Sequence, residues 1–175
     1  MKLTDTTRKF ILHWGEMGTR WGVNRSVAQI HALLYLAEAP LNAEDLAETL
    51  TLARSNVSTS LKELLGWGLI RLIHRPGDRR DHFEAKADPW DMLTLIADGR
   101  KRREIDPTLE MMRQVLEEAE GDQETPATAK ARIREMHGFM SSLDRWYGQV
   151  RQIPRPTLTR LIALGGKIAG LLGRG

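Results

Sequence analysis

The chain has 175 residues, 41% hydrophobic and 28% charged, which allows a packed core and excludes the disordered and fibrous classes. Its net charge of +3 fits an anionic partner, and the absence of cysteine excludes disulfides, thiol nucleophiles and cysteine-held zinc or iron–sulfur centres. There is no apolar core in MKLTDTTRKF and no run of 18 or more apolar residues, so the expectation is a cytoplasmic protein without a membrane span.

Thr4 to Met17 places Phe10, Ile11, Trp14 and Met17 on one helical face, and Gly18 to Gly22 is expected to break that helix. Asn24 caps a second helix running from Arg25 to about Ala39, stopped by Pro40. Asn42 is the expected N-cap of a short helix, Ala43 to Leu50, with Asp45 as the acidic half of a capping pair. After a turn at Thr51-Leu52-Ala53, the stripe Val57, Leu61, Leu64, Leu65 predicts a helix from Arg54 to Leu65, ended at Gly66-Trp67-Gly68. Leu69 to His74 reads as a strand, Arg75 to Asp81 as a turn-rich tip and His82 to Ala87 as the returning strand.

Asp88-Pro89 opens the next helix. Gly99 weakens or interrupts it, and Pro107 kinks or restarts it. Glu120 to Thr128 is a polar connector, Ala129 to about Gln152 a long helix, and Pro154 and Pro156 break the chain before a last helix, Thr157 to Leu172. The fold class is therefore mainly α with a small β-ribbon. Its organisation is N-terminal supporting helices over 1–40, a winged helix-turn-helix over 41–88 and C-terminal helices over 89–175.

The stretch from Leu41 to Ala87 has the parts a DNA-reading module needs. The helix before the turn is acidic (Glu44, Asp45, Glu48), whereas the one after it presents Arg54, Ser55, Asn56, Ser58 and Thr59, with Lys62 one turn later. Arg and Asn suit the edges of guanine and adenine in the major groove, and Ser and Thr suit phosphate oxygens. The hairpin adds Arg75, Arg79 and Arg80, with Arg71 leading in, which suits an adjacent minor groove or its phosphates. Asp81 is the expected brace for a neighbouring arginine. Taken singly, a Ser/Thr-rich helix or a basic hairpin is more often a solvated surface; their order after an acidic supporting helix points to double-stranded DNA.

The segment LAETLTLARSNVSTSLKELLGWGLIRLIHRPGDRRDHFEA resembles the MarR family of winged-helix regulators. The GWGLI step, the GDRRDHFEA wing, the DPWDML helix opening and the RKRREIDPTL segment are most similar to its GbsR-type branch, over about Arg25 to Glu117. The resemblance implies a homodimeric regulator, often a repressor, on a pseudo-palindromic operator. It maps the reading helix onto Arg54 to Leu65 and the wing arginines onto Arg75, Arg79 and Arg80. Ala53 departs from the pattern where many members carry a Ser or Thr cap, at a cost of about 1 kcal/mol, and Ser55 is the candidate to compensate.

The GbsR resemblance also implies a small-molecule pocket. Trp21, Trp90, Trp146 and Tyr147 are its candidate lining, and an aromatic box suits a quaternary ammonium compound such as choline. The other reading of these rings is core packing. Arg100 to Arg103 is either a phosphate contact or a salt-bridged face. The Leu- and Gly-rich final helix reads as a partner-helix face, with a membrane-surface helix as the weaker alternative. The five histidines form no ligand pair, and no phosphate loop or nucleophile–base motif is present. No catalytic residue, metal or cofactor is expected. The competing expectation to a DNA-binding regulator is a winged-helix adaptor that docks on protein and not on DNA.

Overall fold

The structure is a computed structural model and describes residues 3–165. The described part of the chain divides into two compact units, one ending at Lys101 and the other beginning at Arg102. The expected N-terminal helices and winged segment thus lie within one unit.

In the first unit, α1 (Asp5–Arg20) and α2 (Arg25–Leu36) pack against each other. Helix α1 does not break at Gly18. A Cβ on Gly18 would lie 2.6 Å from the Cβ of Ala28, and one on Gly15 would lie 2.7 Å from Cγ of Gln29. Both glycines serve a close crossing of the two helices, and the chain turns only at Gly22, where φ is +76°. There Gly22 N–H donates to Thr19 O at 3.0 Å and Val23 N–H to Gly18 O at 2.8 Å. Asn24 caps α2 as expected, its side chain accepting from Ser26 N.

Strand β1 (Leu41–Asn42) leads into α3 (Ala43–Leu50) through the expected capping box. Asn42 Oδ1 accepts from the amides of Glu44 (2.9 Å) and Asp45 (3.0 Å), and Asp45 Oδ2 accepts from Asn42 N (3.3 Å). The turn to α4 (Arg54–Gly66) passes through Thr51 at φ +55°, with Leu52 N–H donating to Ala47 O. Gly68, at φ +71°, closes α4 in the same way as Gly22 closes α1: its N–H donates to Leu65 O and that of Leu69 to Leu64 O.

The ribbon expected as two strands has three, in the order β1-β3-β2, all antiparallel. Strands β2 (Ile70–Arg75) and β3 (Asp78–Ala85) pair Arg71 with Glu84 and Leu72 with Phe83. Only Pro76 and Gly77 separate them. Proline fixes the first turn position and Gly77, at φ +82°, takes the second, which is the type II pattern. The tip is therefore much shorter than the seven-residue span read from the sequence, and Arg79 to Asp81 lie in a strand. Ile30, Leu33, Leu46, Val57 and Leu64 form the centre of the core and join α2, α3 and α4.

Helix α5 (Pro89–Arg100) starts at Asp88, whose Oδ1 accepts from Trp90 N (2.7 Å) and Asp91 N (3.1 Å). It runs through Gly99 without interruption and passes into a π-helical turn, Lys101–Ile105. In the second unit, α6 (Asp106–Gly121) and α7 (Ala127–Arg151) pack together as a helical hairpin. The chain breaks at Pro154 but not at Pro156, which lies in the first turn of α8 (Arg155–Leu164), where a proline needs no amide partner. The remainder of the expected last helix, from 166 onward, lies outside the described residues. Among the described residues no helix is long and apolar enough to cross a membrane.

Candidate nucleic-acid interface

Helix α4 buries Val57, Ser60, Leu61 and Leu64, which turns the opposite face to solvent. Arg54, Ser55, Ser58, Thr59 and Lys62 are all exposed there. They lie at helical spacings on one side, as a helix entering a groove requires. Ala53 holds the N-cap position without a side-chain hydrogen bond, and Ser55 does not replace the missing cap. The hydroxyl of Thr59 donates to Ser55 O at 3.0 Å.

Asn56 departs from the expected row. It is half-buried, its Nδ2 donates to Ser26 Oγ at 2.9 Å and its Oδ1 accepts from Ser60 Oγ at 3.4 Å. Ser26 Oγ donates in turn to Asn24 Oδ1 at 2.9 Å. The amide belongs to a polar chain from the α2 cap to the inner flank of α4, not to the solvent face. The signal was available: Asn56, Ser60 and Leu64 are spaced i, i+4, i+8, the flank of the buried stripe.

The wing arginines fall into two groups. Arg75 and Arg79 are exposed at and just past the turn. Arg80 is held by Asp78, with Nε at 3.0 Å from Oδ1 and Nη2 at 2.7 Å from Oδ2. That contact holds the Asp78 carboxyl far below the usual carboxylate range. The brace is thus Asp78 and not Asp81. Residues two apart on a strand share a face, and adjacent ones do not. His82 continues that face inward; it is buried, with Nδ1 3.0 Å from Arg80 O and Nε2 3.6 Å from Asp78 Oδ2. Arg71 differs from the expected DNA contact. Its guanidinium is taken by Glu84 directly across the ribbon, at 2.7 Å from Nε and 2.6 Å from Nη2.

Helix α3 meets both basic elements through one side chain. Glu44 Oε1 is 3.2 Å from Arg54 Nη2, and Glu44 Oε2 is 3.7 Å from Arg80 Nη1. Beneath these ion pairs a groove of about 550 Å³ runs between α4 and the wing, floored by Leu61, Leu65, Leu72 and Phe83.

The four aromatic residues expected to line a ligand pocket do not belong to one unit. Trp21 and Trp90 lie in the first and Trp146 and Tyr147 in the second, so neither unit alone holds the set. Trp21 and Trp146 are more than half exposed, at 54% and 59%. Trp14, stacked on Phe10 at a centroid distance of 5.5 Å, packs against the core. In the basic run, Arg100 donates to the carbonyl of Trp21, and Lys101 to Arg103 lie in the π-helical turn. No group of three or more potential metal ligands occurs among the described residues.

Comparison with known proteins agrees with this geometry. Residues 21–81 match the model of the MarR family. A comparison with curated proteins finds no match. Among solved structures, a crystal structure of a transcriptional regulator is similar at 21% identity and a TM-score of 0.64, covering 82% of this chain and 94% of the other. The ST1889 protein of Sulfolobus tokodaii is 20% identical with a TM-score of 0.41, over 51% of this chain and 89% of that one. The DNA complex of Staphylococcus aureus MepR is 15% identical with a TM-score of 0.39, over 81% and 98%. The acidic helix α3, the exposed face of α4 and the short wing all fall in residues 21–81, the segment that is similar to the model of the MarR family.

Proposed function

We propose that the chain is a non-enzymatic transcriptional regulator that binds double-stranded DNA. The carrying observation is the exposed row Arg54, Ser55, Ser58, Thr59 and Lys62 on α4 beside the wing arginines Arg75, Arg79 and Arg80. The row enters the major groove, with Arg54 and Lys62 aimed at base edges or phosphates and the hydroxyls at phosphates. The wing arginines meet the neighbouring backbone. Asn56 supports the row from behind, and Arg71 stays with Glu84.

The active form is a homodimer on a pseudo-palindromic operator in the cytoplasm. Two reading helices must be about 34 Å apart to enter successive major grooves, and helices outside the module set that spacing. Helix α7 offers a surface for such pairing. Met136, Phe139, Leu143 and Trp146 recur at alternating spacings of three and four and are all exposed. Bound at a promoter, the dimer acts as a repressor by occupying the site.

An effector that favours one spacing over another would change operator affinity. The resemblance of the sequence to the GbsR-type branch makes a quaternary ammonium compound such as choline the ligand to titrate. The decisive experiment is selection of bound sequences from random duplexes, followed by a salt series. A two-fold symmetric consensus and a steep fall of affinity with salt are expected. Absence of duplex binding at low salt would leave a winged-helix protein adaptor in its place.

A further inference from the structure

We infer that Glu44 is a built-in competitor of DNA phosphate, a carboxylate that occupies the guanidinium groups of both the reading helix and the wing when no duplex is bound. This inference rests on the DNA-binding reading and adds a negative determinant to it.

The geometry is specific to this residue. Glu44 sits in the first turn of α3, where the helix dipole favours a negative charge. One of its oxygens lies 3.2 Å from Arg54 and the other 3.7 Å from Arg80. Asp45, its neighbour, is committed to the capping box through Asn42 N, so the helix start does not depend on Glu44. Asp78 also holds Arg80, but from two residues away on the same strand, and its ion-pair partners among the described residues, Arg80 and His82, both lie on that strand. Among the described residues Glu44 is the one that makes an ion pair with both basic elements.

A phosphate that approaches Arg54 or Arg80 meets a guanidinium already partly neutralised. The ion pair must open or be shared, and the carboxylate is left within a few ångströms of a second anion. Exposed pairs of this kind add little to folding stability, because water and salt screen them. Against a polyanion the same carboxylate matters more, since affinity depends on how many phosphates are neutralised and how many counterions leave. Glu44 therefore lowers sequence-independent attraction and makes release from DNA possible at lower salt.

The test is fluorescence anisotropy of the full-length protein on a labelled random-sequence duplex across a salt series. Glu44→Gln keeps the side-chain size and removes the charge, and Glu44→Ser serves as a second variant at this first-turn position. Either should bind about three- to tenfold tighter than wild type at moderate salt, with a steeper salt dependence. In an Arg54→Gln/Arg80→Gln background the gain from Glu44→Gln should disappear. A gain that persists in that background would mark a general charge effect and overturn the inference. So would variants that bind the random duplex no more tightly than wild type while wild type itself binds. Wild-type protein that binds no duplex at any salt would overturn the DNA reading beneath it.

Discussion

The side-chain amide of Asn56 donates to the hydroxyl of Ser26 at 2.9 Å, and this bond fixes α4 to the start of α2. Ser26 and Ser60, at either end of the contact, are 8% and 1% exposed. Loss of a hydrogen bond there leaves a partner short in a dry place, at a cost of about 1–2 kcal/mol. Asn56→Ala is expected to lower the unfolding free energy by that amount, read as a lower urea midpoint, and to weaken all duplexes alike, leaving the selected consensus unchanged. A changed consensus would return Asn56 to the base-reading set.

Thr51 offers a position where stability can be gained. It closes α3 in the left-handed region at φ +55°, where α1 and α4 use Gly22 and Gly68. A β-branched residue there is strained by about 1 kcal/mol or somewhat more, and part of that gain is offset by the flexibility of an unfolded glycine. Thr51→Gly should stabilise the fold by about 0.5 kcal/mol, read as a higher denaturation midpoint.

The reverse holds at the crossing of α1 and α2. Gly18→Ala would place a methyl 2.6 Å from the Cβ of Ala28, and the two backbones must separate to admit it. A loss of about 1–3 kcal/mol is expected. The double variant with Ala28→Gly should recover most of it, whereas two independent losses would show that the crossing is not the cause.

His31 gives the first unit a pH dependence. Burial pushes its imidazole down to about 4, and its Nε2 has no hydrogen-bond partner among the described residues. In the unfolded chain the ring takes up a proton near pH 6.5, whereas in the folded chain it resists until about pH 4. Its contribution is thus fully present above pH 6.5 and declines as pH falls toward 4, by on the order of 3 kcal/mol. His31→Leu should flatten stability against pH over that interval; an unchanged slope would place the dependence elsewhere.

Arg75 and Arg79 have no carboxylate partner among the described residues, whereas Arg71 is paired with Glu84. Arg79→Ala should weaken binding to every duplex and make the salt dependence shallower by about one ion. Arg71→Ala should have a clearly smaller effect on both, because Glu84 already holds that guanidinium. Equal losses from the two variants would contradict the division.

The helix caps and stops were legible before the fold was known, because they rest on chemistry within a few residues. The Asn42–Asp45 box, the Asn24 cap, the Asp88-Pro89 start and the glycine closure after Leu65 all formed as read. What escaped depends on neighbours distant in sequence. Gly18 reads as a breaker until Ala28 is known to lie beside it. Asn56 reads as exposed until Ser26, thirty residues earlier, claims its amide. The brace on Arg80 was legible in principle, since strand alternation pairs it with Asp78 and not Asp81, but that required placing Arg80 in the strand and not in the tip. The four aromatic residues offered as a pocket lining came from the resemblance and not from local chemistry, and they are divided between the two units, Trp21 and Trp90 in one and Trp146 and Tyr147 in the other.

The wing's turn has a consequence for how much of a duplex one protomer can touch. The strands stay paired up to Pro76 and Gly77, across a register shift between Ile73 and Arg75, so the turn itself gives the hairpin no slack with which to wrap or to probe. Its reach is that of a stiff rod whose length is set by six residues of β2, roughly 20 Å. Such a rod meets the backbone at one place, so each half of a footprint should end in a sharp edge, not a graded one. Lengthening the turn by a few glycines would blur that edge before it altered how tightly the protein holds.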